Sequence, residues 1–142
     1  MGPARRRALA GLAYFALVFL LGSMLGIIRI LLVAPLLGPI GATLVELPIM
    51  LLLSWLICRA LVRGLAVPAE TGARLLMGGL ALLLLMSAEF GLASLLNGER
   101  LGPYLSSYRG TARQIGLVGQ LVFAAMPMLQ AVQARRRARS FR

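Results

Sequence analysis

Four runs of apolar residues, 8–33, 43–62, 73–96 and 114–134, take up most of the chain, and polar residues collect between them. Each run has about the 20 residues that an α-helix needs to cross a hydrocarbon layer roughly 30 Å thick. The pattern predicts an all-α, integral membrane four-helix bundle, a single domain over 1–142 with short basic tails. The first run begins after Arg5-Arg6-Arg7 and meets no charge before Arg29. Its basic start and its small residues Gly22 and Ser23 also fit a signal peptide. The uncharged stretch is long enough to span, however, and no clear Ala-x-Ala site follows, so it is read as a retained span. Pro35, Gly38, Pro39 and Gly41 predict a tight turn before the second span. Pro48 sits near the start of that span, where a missing N–H is best tolerated. The longest loop, 97–113, carries Tyr104 and Tyr108 one helical turn apart, a pair expected to anchor at the interface.

Charge sets the orientation. Formal net charge is +11, all fifteen basic residues are Arg, and the four acids are Glu46, Glu70, Glu89 and Glu99. Eleven arginines flank the side carrying both tails and the 63–72 loop, and four flank the other. The excess predicts cytoplasmic termini, and arginine-only usage points to a bacterial-type genome, hence an inner membrane. On this reading Arg5, Arg6, Arg7, Arg135, Arg136 and Arg137 are topogenic and contact anionic lipid, at about 1 kcal/mol per charge near the surface. Arg139 and Arg142 extend the C-terminal cluster, and Arg59, Arg63 and Arg74 are expected to snorkel. A short basic tail beside a span is explained by orientation, so no nucleic-acid partner is expected.

Composition excludes several chemistries. With mean hydropathy of +0.90, no His, no Asp, no Lys and one cysteine, Cys58, the chain lacks a His/Cys metal site and a Ser-His-Asp or Cys-His nucleophile. No cofactor and no metal are expected, and the protein is read as non-enzymatic.

Helical spacing brings a few polar residues together. Arg29 lies 21 residues into span one, and Glu46 three residues into span two from the same side. Glu89 falls about 24 Å along span three, and Gln120 six residues into span four. All four reach a similar depth in the outer third. Gly22 and Gly26 share the Arg29 face, and Gly116 shares the Gln120 face, as small residues do where helices pack closely. The pattern predicts an interior polar cluster of Arg29, Glu46, Glu89 and Gln120, with Gly22, Gly26 and Gly116 as packing positions. One role for the cluster is a proton- or cation-responsive site. The other is a structural clip, with Arg29 snorkelling and pairing with Glu46.

The segment Gly22-Ser23-Met24-Leu25-Gly26-Ile27-Ile28-Arg29 resembles the Gly-rich, Arg-ended first helix of small bacterial fluoride channels. Gly41-Ala42-Thr43-Leu44-Val45-Glu46 resembles their second helix, with Glu46 where that family has a pore Asn. Together these are fourteen of 142 residues, and span three lacks the family's Phe-rich, Thr/Ser-containing break. No site is carried over from it. As a whole the chain resembles small four-span proteobacterial membrane proteins of no assigned activity. Two functions are therefore expected: a non-catalytic subunit, assembly factor or scaffold in a membrane-protein complex, or a small oligomeric channel or transporter using Glu46 and Glu89.

Overall fold

The computed structural model describes residues 2–140; Arg142 lies outside them. The chain is all-α. Its elements are α1 (Pro3–Ile28), a π-helical turn (Arg29–Val33), α2 (Ala34–Gly64), α3 (Thr71–Asn97), α4 (Leu101–Ser106), a 3-10 turn (Ser107–Arg109) and α5 (Thr111–Ser140). Three helical stretches among the described residues are long and apolar enough to cross a membrane: Ala4–Gly64, Thr71–Asn97 and Thr111–Ser140. The first, at 61 residues, would be about 90 Å long if straight, roughly three hydrocarbon thicknesses. It is not straight.

The turn expected at 35–41 is much shorter than its Pro/Gly content suggested. Helical backbone runs through Pro35, breaks at Gly38 with φ 71° and ψ 170°, and resumes at Pro39. Such a backbone is open to glycine and strained for other residues, and proline fits the first turn of the helix that follows. The Thr43 hydroxyl donates to the Pro39 carbonyl at 2.8 Å in that first turn. The two arms then run antiparallel, with Gly22 beside Met50 and Arg29 beside Glu46.

The other pairings follow from named contacts. Gly11 meets Met77 and Leu80, Gly78 meets Ala124, and Leu47 meets Gly119. The long helices thus form a ring in the order α1, α3, α5, α2. Arg7 bonds Glu70 at 3.1 Å and Arg135 bonds the Ala69 carbonyl at 2.7 Å, so both ends of the described chain lie with the 65–70 loop. Arg74, expected to snorkel, is 4% exposed. Its Nε donates to the Pro68 carbonyl and its Nη2 to the Val67 carbonyl, both at 2.9 Å. Two of the three guanidinium nitrogens serve loop carbonyls, while Nη1 is buried with no hydrogen-bond partner in the protein. Arg74→Met should therefore destabilise the protein by about 1–3 kcal/mol, the cost of unmet buried carbonyls. Thermal unfolding in detergent checks it; an unchanged midpoint would make the two bonds incidental.

Burial is uneven along the ring. Ala10, Tyr14, Cys58, Ala73, Met77 and Ala81 are almost fully buried near the end that carries the basic tails. Small residues let backbones close in there, and aromatic and Met side chains fill what remains. The π-helical turn at the opposite end has no buried residue. One half of the molecule is packed and the other half stands open.

Candidate functional site

The open half holds a cavity of about 810 Å³ that is itself partly open to the outside. Arg29, Glu46, Glu89 and Gln120 all line it, one from each long arm of the ring. They divide into two pairs. Arg29 Nε lies 2.5 Å from Glu46 Oε2, an ion pair that joins the two arms below the Gly38 break. Gln120 donates its amide to Glu89 Oε1 at 2.7 Å, joining α3 to α5.

The second pair is incompletely satisfied. Glu89 Oε2 and Gln120 Oε1 are both buried with no hydrogen-bond partner in the protein. Glu89 also has no cation within ion-pair distance among the described residues, whereas Glu46 has Arg29. A buried acceptor left open costs stability, so its retention at a cavity wall is a feature to be accounted for.

The glycine expectation divides. A Cβ on Gly22 would lie 3.2 Å from the Met50 methyl, so this residue does serve a helix contact. A Cβ on Gly26 or Gly116 would meet nothing within 4 Å. These two line the cavity and widen it instead of closing a packing interface. The other glycines at close approaches to a second helix are Gly11, Gly78 and Gly119, of which Gly11 and Gly78 stand one turn after Arg7 and Arg74 on the same face. A small-residue stripe identifies a face but leaves open whether a neighbour comes near.

The loop before α5 supplies what spacing alone did not reveal. Tyr104 is 3% exposed, too buried for an interfacial anchor. Its ring packs edge-on to Phe90, with centroids 5.1 Å apart, and its hydroxyl lies 3.3 Å from that of Tyr108. The Arg113 guanidinium sits 4.7 Å from the centroids of both tyrosine rings. Burial pushes the Tyr104 phenol up, contact with the Tyr108 hydroxyl adds to this, and Arg113 opposes it. Tyr104 thus remains neutral, and Arg113 is held by ring faces with no carboxylate within ion-pair distance among the described residues. Tyr108 and Arg113 line the same cavity, and so does Glu99. The i, i+4 tyrosine pair was visible in the sequence. Its union with Arg113 needed the chain reversal between α4 and α5.

No group of three or more metal-ligating side chains occurs among the described residues. The basic residues assigned to lipid show two environments. Arg135, Arg136 and Arg137 are exposed on the last turns of α5, while Arg7 is half-buried on Glu70 and Arg5 and Arg6 flank it. Comparison with protein-family models, with curated proteins and with solved structures finds no match to this chain.

Proposed function

We propose that the chain is a small multi-pass protein of the bacterial inner membrane, with cytoplasmic termini, that binds a small polar ligand in its cavity and carries it across or into the bilayer. The observation supporting this reading is the placement of Glu89, bonded to Gln120 and with no cation within ion-pair distance among the described residues, on the wall of an 810 Å³ space between apolar helices. Ionisable groups at membrane depth are expensive and mark solute or ion pathways. A cavity of this size lies in the range that holds small ligands. The Arg29–Glu46 pair holds the two arms of the hairpin and leaves Glu89 for the ligand. With no His, Asp or Lys and a buried Cys58, the role proposed is non-catalytic.

Reconstitution into proteoliposomes tests this. Flux of protons or small cations down an imposed gradient is expected from the parent and should fall at least tenfold in Glu89→Gln. Equal flux from parent, Glu89→Gln and empty vesicles across a panel of gradients would dispose of transport.

A second reading, a subunit or scaffold in a complex or homo-oligomer, is favoured by one observation. Gly26 and Gly116 leave bare backbone on the cavity wall, which an inserted segment of a partner could fill in place of a small ligand. A tagged preparation in mild detergent would then retain a stoichiometric membrane partner, and Gly26→Leu would release it.

A further inference from the structure

The cavity is closed at one end. Its deepest wall residues are Val18, Ser54, Leu85 and Phe123, one from each long arm of the ring. One helical turn further toward the basic tails, on the same four faces, stand Tyr14, Cys58, Ala81 and Pro127. Each of these is less than 2% exposed. A complete layer therefore bars a solute that enters at the open end. Resting on the transport role proposed above, we infer that the part of α5 from Pro127 onward is a gate. It swings about Pro127 to open this layer and returns to close it.

The hinge follows from proline chemistry. Pro127 offers no N–H to the Phe123 carbonyl, so the ladder of α5 lacks one bond at the level of the layer. Helices bend at such breaks. The Tyr14 hydroxyl takes the vacant place at 3.0 Å. A hydroxyl on another helix can let go and return without unwinding α5.

The two parts of α5 are held differently. On the cavity side of Pro127 the helix meets its neighbours closely, with Ala124 against Gly78 and Gly119 against Leu47. Gly119, Phe123 and Met126 are buried there. Beyond Pro127 the only buried residue of α5 among those described is Ala131, a small one. Polar side chains secure this part instead. Gln130 donates its amide to the Trp55 carbonyl at 3.0 Å, and Arg135 donates Nε to the Ala69 carbonyl at 2.7 Å. The Trp55 carbonyl lies inside α2, where the helix supplies a donor of its own. Releasing Gln130 therefore leaves no carbonyl unmet. One part of α5 is anchored by close packing and the other is latched by bonds that open easily, with the break between them.

Cys58 is the chain's one cysteine and belongs to the closed layer, so it reports opening directly. The test is the rate at which N-ethylmaleimide alkylates Cys58 in the full chain in detergent, read by mass. Each variant is measured at the same interval below its own unfolding midpoint, which separates opening of the gate from loss of global stability. Gln130→Met removes the latch and should raise the rate about tenfold, in proportion to the open population. Pro127→Ala restores the backbone bond, stiffens α5 and should lower the rate about threefold. Flux through Pro127→Ala proteoliposomes should fall by a similar factor. If Gln130→Met fails to fold, Pro127→Ala still decides, because it strengthens the helix. Equal alkylation rates in parent, Gln130→Met and Pro127→Ala, or a faster rate in Pro127→Ala, would make the layer a fixed floor and overturn the gate. Absence of flux from parent vesicles would overturn the transport reading by itself, since alkylation of Cys58 needs no transported solute.

Discussion

Gly78→Ala is expected to be the most damaging single-methyl change in this protein, while Gly79→Ala, one residue on, should be harmless or mildly stabilising. The Cβ added at Gly78 would collide with the backbone carbonyl oxygen of Ala124 on α5. Side-chain rotation cannot relieve a clash with backbone, so α3 and α5 must move apart. Overpacking of this kind costs typically about 1–3 kcal/mol and occasionally more, against a gain of about 1 kcal/mol from replacing glycine with alanine in a helix. Separation of α3 from α5 would also lengthen the Glu89–Gln120 bond, which bridges the same two helices about three turns away along α3 and one turn away along α5. At Gly79 nothing lies within 4 Å, and the helix-propensity gain acts alone. Thermal unfolding of both variants in one detergent decides it. A similar midpoint shift for the two would mean that the close approach does not hold α3 to α5.

The second large effect concerns the hydroxyl of Tyr14. Pro127 interrupts α5 and has no N–H, so the Phe123 carbonyl four residues back lacks its helical donor. Tyr14 crosses from α1 and donates to that carbonyl at 3.0 Å, with its ring stacked on Phe123 at 4.4 Å. The Met126 sulfur lies 3.4 Å from the same hydroxyl. A backbone carbonyl buried among apolar helices must find its donor within the protein, and here the donor comes from another helix. Tyr14→Phe should keep the stacking and cost about 1–3 kcal/mol for the unmet carbonyl. In a Pro127→Ala background the restored N–H can serve Phe123, so the cost of Tyr14→Phe should shrink by at least half. The double-mutant cycle reads this coupling directly. Equal penalties in the two backgrounds would show that the hydroxyl matters for some other contact.

These two contacts illustrate what could be anticipated from the chain and what could not. A proline at 127 in an apolar run announces a carbonyl in need of a donor, but Tyr14 lies 113 positions away and has no local mark. Helical spacing puts Gly78, and not Gly79, on one face with Glu89 and Ala93, but that it meets the Ala124 backbone is decided by the approach of α5. Arg74 was expected to reach toward the interface like its neighbours. It turns back onto Val67 and Pro68 because the loop folds over the start of α3.

The candidate site divides in the same way. Depth and facing follow from the 1.5 Å rise and the 3.6-residue turn, so Arg29, Glu46, Glu89 and Gln120 could be assigned to one interior level before any fold was known. Their choice of partner was not available from that arithmetic. Glu89 with Gln120, and Arg29 with Glu46, reflect the ring order of the helices. Arg113 entered the site only because α4 folds back and stacks Tyr104 and Tyr108 beneath it.

The sequence by itself determined the helical class and the position of each charge along its apolar run, since these depend on hydrophobic run length and on local helix geometry. Tertiary structure alone decided which glycines meet a backbone and which border empty space. It also decided which polar atoms are left open, because both depend on distances between helices that no local periodicity encodes.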